Sequence, residues 1–98
     1  MTRRSDPHTA LIRSLADSAR AGGLTIQPGD IAERPWSSAT FTGCRLTIVI
    51  AVTGGDPAAW LATLPEMEFA LPRRLVADLV VIAADAIGAT LEVLLLEA

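Results

Sequence analysis

Hydrophobic and polar residues alternate most regularly over residues 36–53, and this pattern predicts a β-hairpin. The second half of the stretch is rich in Val and Ile, whose branched side chains favour strands. Side chains alternate across a strand, so one face carries only aliphatic residues: Leu46, Ile48, Ile50 and Val52. The opposite face is polar near the turn and apolar further on, with Arg45, Thr47, Val49 and Ala51. We therefore expect the first face to be buried beneath another layer of the fold.

The hairpin turn is predicted at Thr42-Gly43, because Gly readily adopts the positive φ of a two-residue turn. This turn places Phe41 opposite Cys44 and Trp36 opposite Val49. A longer loop would move every pair and could exchange the two faces.

Apolar residues recur at helical spacing between residues 6 and 21 and predict an amphipathic helix. Asp6-Pro7 is a typical helix start, since Asp accepts from the first N–H groups and Pro suits the first turn. Gly22-Gly23 is expected to end the helix. Residues 24–26 then suggest a short strand, and residues 27–30 are typical of a turn.

A second Asp-Pro pair, Asp56-Pro57, predicts a short helix that runs to Leu64 and ends at Pro65. Trp60 and Leu61 would pack this helix on the sheet. Residues 66–71 are expected to be extended or irregular.

Residues 73–88 fit either a helix or a buried strand, because a short apolar run does not decide between the two periodicities. The β-branched sequence Val80-Val81-Ile82 favours the strand, with residues 84–88 as a hairpin loop. Residues 90–96 form a plain final strand. Four strands in two hairpins, with an N-terminal helix and a short helix between the hairpins, predict an α+β fold with a curved antiparallel sheet.

Two stretches resemble a group of small uncharacterised bacterial proteins. These are the Trp-x-Ser-Ala-Thr-Phe hairpin at residues 36–41 and the Leu-Pro-x-x-Leu-Val-Ala-Asp stretch at residues 71–78. A glycine-rich turn follows the second motif in that group, so the resemblance implies a hairpin and not a helix over residues 74–97. The resemblance implies no activity.

Length and composition predict one domain over residues 6–98 after a short flexible tail at residues 1–5. The apolar fraction of 51% is high, yet no apolar run has the roughly 18 residues that a membrane span needs. The N-terminus has no apolar segment typical of a secretory signal, so a cytoplasmic location is expected. The net charge of −3 and the scattered Arg residues argue against nucleic acid as a partner.

Catalytic chemistry finds little support in the chain. His8 and Cys44 are the single residues of their types and lie far apart in sequence, so a Cys/His pair is disfavoured. The carboxylate pairs at residues 30/33 and 66/68 lack the dense oxygen ligands of a calcium loop. Residues 54–57 match no phosphate-loop pattern. We therefore expect no enzyme and assign no catalytic, cofactor-binding or metal-binding residue.

Two functional hypotheses follow. The N-terminal helix and the short helix are too few to cover both faces of the sheet. The first hypothesis is therefore a non-enzymatic homodimer, joined through the second face or through the C-terminal edge strand. The same face could also take another protein partner. Its candidate residues are Trp36, Val49, Ala51, Leu94 and Leu96. The alternative is a small-molecule binding module with an apolar cleft, for which the candidates are Trp60, Arg45, Arg74 and Asp78. For Asp78, a structural ion pair with Arg45 or Arg74 is favoured over a role in ligand binding.

Overall fold

The computed structural model describes residues 7–97, which form an α+β fold. The elements in chain order are α1 (Pro7–Ala21), β1 (Leu24–Ser37), β2 (Thr42–Gly54), α2 (Pro57–Thr63), β3 (Arg74–Ala84) and β4 (Gly88–Glu97). A short 3-10 turn at Leu64–Glu66 follows α2. The fold class predicted from the sequence is confirmed. The tail predicted at residues 1–5 and the cap predicted at residue 6 lie outside the described residues.

The four strands form one antiparallel sheet in the order β1-β2-β4-β3. The C-terminal strand β4 therefore lies in the middle of the sheet, between β2 and β3. The prediction that the C-terminal strand forms an edge is wrong, because the second hairpin joins the first through β4 and leaves β3 outside. The two edge strands are β1 and β3.

The first hairpin has a longer loop than predicted. Residues 38–41 form the loop, in which Ser38 N donates to the Phe41 carbonyl at 2.8 Å. The Ser38 hydroxyl accepts from the backbone N–H groups of Thr40 and Phe41 at 3.3 and 3.1 Å. Trp36 pairs with Gly43 and not with Val49. This shift of six residues is even, so it leaves Trp36 on the face that the sequence indicated.

Gly43 belongs to strand β2 and not to the turn. A Cβ atom at this position would come within 2.0 Å of the Leu95 carbonyl oxygen on β4. The glycine therefore permits the close approach of the two central strands. Cys44 accordingly lies opposite Pro35, and its predicted position opposite Phe41 is wrong.

Strand β1 is much longer than the predicted strand at residues 24–26. It continues through residues 27–30, where an irregularity between Pro28 and Ile31 takes the place of the predicted turn. Pro28 and Pro35 both lie in this strand. An edge strand tolerates Pro because a missing N–H can face away from the sheet. Turn-type residues here mark a bulge in an edge strand.

Strand β3 confirms the strand interpretation of residues 73–88. Two register shifts interrupt its pairing with β4, between Val76 and Asp78 and between Val81 and Ala83. Each shift inserts one unpaired residue, so the alternation of side chains changes along the strand. Asp85 closes the loop to β4, since its carboxylate accepts from the N–H groups of Ile87 and Gly88 at 2.9 and 3.0 Å.

Both helices pack on one face of the sheet, which we call the core face. It comprises Leu46, Ile48, Ile50 and Val52 of β2 and Leu91, Val93 and Leu95 of β4. Every one of these side chains is at most 4% exposed. Leu11, Leu15 and Ala19 of α1 belong to the same cluster, as do Trp60 and Leu61 of α2. The predicted burial of the aliphatic face of β2 is confirmed.

A polar contact joins the two helices beside this core. The Trp60 indole N–H donates to the Ser18 hydroxyl at 2.9 Å, which gives a buried ring nitrogen its hydrogen-bond partner. Asp56 caps α2 by accepting from Ala59 N at 3.2 Å, as its sequence position predicted. Within residues 7–97 no helix has the length and apolar character needed to cross a membrane.

Candidate functional site

The second face of the sheet, which we call the outer face, carries no helix of the described chain. The central strands contribute Arg45, Thr47, Val49 and Ala51 of β2 and Thr90, Glu92, Leu94 and Leu96 of β4. The register adds Ala32, Arg34 and Trp36 from β1 and Leu75, Asp78 and Val80 from β3. Among residues 7–97, this face is the side of the sheet that neither helix covers.

Large apolar side chains on the outer face are exposed. Val49 and Val80 are each 41% exposed, and Leu75 is 54% exposed. Trp36 and Leu94 are half-buried, while Leu96 is buried although it lies outside the core cluster. Leu96 lies opposite Gly43 on one side and Leu75 on the other. Exposed apolar residues gathered on one surface are typical of an interaction site.

Charged residues of opposite sign occupy the two sides of the outer face. Arg34 on edge strand β1 lies directly opposite Arg45 on β2, and Asp78 on edge strand β3 lies opposite Leu94 on β4. Arg45 donates from Nη1 to Oε1 of Glu92 at 3.4 Å. Within residues 7–97, Arg34 and Asp78 form no ion pair. The β1 side of the face is therefore basic and the β3 side is acidic.

A groove of about 360 Å³ lies on the outer face, at the end of the sheet away from Arg34 and Asp78. The bulged part of β1 forms one wall and the end of β3 with its loop forms the other, while Val49, Ala51 and Thr90 lie between them. Small and apolar side chains dominate the lining. Neither Trp nor Arg lines it, and the carboxylate of Asp85 already accepts two N–H groups of its own loop.

The structure separates the four ligand-binding candidates. Trp60 lies in the core, where it contacts Ser18, and Arg45 pairs with Glu92 on the outer face. Arg74 lies opposite Glu97 and donates to the Arg73 carbonyl at 2.9 Å. None of them lines the groove. The role of these residues in ligand binding stays a prediction.

Strict alternation along residues 74–83 would place Asp78 on the same face as Arg74 and Val76, but the structure places it on the opposite face. The shift at Ala77 moves it to the outer face beside Leu75 and Val80. The predicted ion pair of Asp78 with Arg45 or Arg74 is absent from the described chain, because Arg45 pairs with Glu92.

The five interface candidates all lie on the outer face by register, and their role in an interface stays a prediction. Leu75, Val80 and Arg34 of the same face were missed. The sequence of residues 27–30 is typical of a turn, so the pattern does not predict a strand that extends to Arg34. The two register shifts in β3 interrupt the alternation of side chains, so the sequence pattern does not show that Leu75 and Val80 share a face.

The other candidate chemical groups lie apart from the outer face. Cys44 is buried on the core face, and burial raises the pKa of its thiol from 9.0, with a further increase from the nearby negative charge of Glu33. His8 Nδ1 lies 3.8 Å from Glu33 Oε1, at the helix side of the sheet. Residues 7–97 contain no cluster of three metal-ligating side chains.

No protein family, curated protein or solved structure matches this chain. The similarity to a group of small bacterial proteins therefore stays a prediction. The class that the fold defines is an α+β domain with one layer of helices over a four-stranded antiparallel sheet. The functional argument rests on the geometry of the outer face.

Proposed function

We propose that the chain is a non-enzymatic interaction module that forms a homodimer through the outer face of its sheet. One observation carries the proposal: both helices pack on the core face, while Val49, Leu75 and Val80 are exposed on the other. A second copy offers the same apolar face, so mutual burial would remove both from water. A cytoplasmic location belongs to the same proposal and rests on the sequence alone.

The size of the outer face is sufficient for a dimer. Four strands spaced about 4.8 Å apart make the face about 19 Å wide. The nine pairs between β2 and β4 extend about 30 Å at roughly 3.3 Å per residue. Two such faces would bury about 1,200 Å² in total, close to the lower limit for specific interfaces. We therefore expect a dimer that dissociates on dilution.

Charge placed in the centre of the outer face tests the proposal. Val49→Glu and Leu94→Glu should each give a folded monomer, because each would place a charge inside an apolar contact. Burying that charge costs several kcal/mol, about the whole binding free energy of a weak dimer. The measurement is solution mass by light scattering, with circular dichroism to check the fold.

Ala62→Glu is the matched control, because Ala62 is exposed on α2 at the helix side of the molecule. This variant should keep the mass of the unaltered chain. A dimer that persists in both outer-face variants would contradict the proposal.

The groove supports a second candidate function, the binding of a small apolar molecule. Its volume of about 360 Å³ falls within the range of ligand pockets, which begins near 300 Å³. Because Arg is absent from the lining, a neutral ligand fits better than an apolar acid. A neutral hydrophobic dye should bind the monomeric Leu94→Glu variant, and Ala51→Trp in that background should abolish binding by filling the groove. Equal dye binding by both variants would contradict this function.

A further inference from the structure

Arg34 and Asp78 mark the ends of one row of residues across the outer face. The row runs from Arg34 on β1 through Arg45 and Leu94 to Asp78 on β3. Three strand spacings of about 4.8 Å separate its ends by about 14 Å, so the two charges do not meet within one chain. Among residues 7–97, the sheet therefore presents a cation and an anion that form no ion pair, in the same cross-strand row but on opposite edge strands.

The position of Arg34 is unfavourable in the isolated chain. It lies directly opposite Arg45, and like charges facing each other across strands are destabilising. Glu92 neutralises Arg45 but leaves Arg34 without a carboxylate among the described residues. A carboxylate supplied from outside the chain, above the β1 side of the face, would offset this repulsion.

We propose that the dimer's two-fold axis runs parallel to the strands, between β2 and β4, so that Arg34 of each copy pairs with Asp78 of the other. This inference rests on the homodimer proposed above. Rotation about that axis places β1 of one copy over β3 of the second. It also keeps each cross-strand row at the same height along the strands in both copies. Arg34 then faces Asp78, and Trp36 faces Leu75, at the spacing of about 10 Å that is usual between packed sheets.

An axis perpendicular to the strands fits the charges less well. It would stack β1 on β1 and β3 on β3, so that the basic side of one copy would face the basic side of the other. Opposite charges aligned across an interface favour the correct arrangement over alternatives of this kind. The parallel axis also sets the two grooves opposite each other, because both lie at the same end of the face.

Exchange of the two charges tests the axis. Arg34→Glu and Asp78→Arg should each raise the dimer dissociation constant about tenfold or more, since each places like charges together. The double variant should return to within about threefold of the unaltered chain, because the pair is restored in reverse. Sedimentation equilibrium measures these constants, and Arg13→Glu on the exposed side of α1 controls for the change in net charge.

Unfolding of the same variants under monomeric conditions separates association from folding. Arg34→Glu should leave the monomer as stable as the unaltered chain or more so, since it removes the repulsion from Arg45. If a charge reversal does not fold, Arg34→Gln and Asp78→Asn provide a second cycle. In that cycle the double variant should associate no more weakly than either single variant.

The outcomes distinguish the two proposals. A monomeric unaltered chain would overturn the homodimer itself. Suppose that Val49→Glu disrupts the dimer but the double exchange associates as weakly as the single exchanges. This result would overturn the proposed axis and leave the homodimer standing. Restored association in the double exchange supports both.

Discussion

The two faces of the sheet differ in whether helices of the same chain cover them. On the core face, strands β2 and β4 present aliphatic residues and Cys44, and α1 and α2 bury them within the chain. On the outer face, the same two strands mix Thr, charged and aliphatic residues, and Val49 is 41% exposed. A strand places alternate side chains on opposite faces, so one sequence must satisfy both requirements at once. The comparison shows that large apolar side chains can gather on a face that is not part of the folding core.

Truncation on each face should give unequal losses of stability. Leu91→Ala removes a fully buried side chain from the core face and should lower the free energy of unfolding by about 2–5 kcal/mol. Leu75→Ala removes a side chain that is 54% exposed and should cost less than about 1 kcal/mol in the monomer. Urea unfolding at low protein concentration measures both. Equal losses would contradict the distinction between the faces.

The contact between Ser18 and Trp60 should contribute the next largest effect. Ser18→Ala leaves the buried indole N–H without its partner, so we expect a loss of about 1–3 kcal/mol. Ser14→Ala is the matched control, because Ser14 is also half-buried on α1 and its hydroxyl makes no hydrogen bond to another of the residues 7–97. Thermal unfolding of both variants provides the measurement. A larger loss in Ser14→Ala would show that the polar link does not hold the helices together.

The Cys44 thiol should give the smallest effect, which appears only at alkaline pH. Burial raises its pKa in the folded state above 9.0, so its contribution to stability is complete below pH 9.0 and is lost as pH rises through the folded pKa. The chain contains no Lys or Tyr, so few other groups titrate in this window. The slope of unfolding free energy against pH should flatten in Cys44→Ala. An unchanged slope above pH 9.0 would refute this role of the thiol.

Much of the fold was predictable because its signals are local. The alternating β2 residues, the Asp56-Pro57 cap and the helical stripe of α1 each depend on neighbours in sequence, and the structure confirms all three. The hairpin register was not predictable from Thr42-Gly43. That glycine fits the approach of Leu95, a residue more than fifty positions away. Side-chain hydrogen bonds from Ser38 fix the loop instead.

The candidate site was predictable only in its central strands. Regular alternation in β2 identified Val49 and Ala51, and the final strand identified Leu94 and Leu96. The edge strands escaped because bulges break their periods, and because Pro28 and Gly29 resemble a turn. The strand order was equally hidden, since pairing between β2 and β4 is a long-range choice that no local pattern specifies.

The most direct test of the account is the solution mass of the unaltered chain. Light scattering over a hundredfold range of concentration would follow association without any substitution. We predict a mass that rises towards twice the chain's 10.3 kDa as concentration increases. A constant mass of 10.3 kDa up to millimolar concentration would contradict the central claim that the outer face binds a second copy.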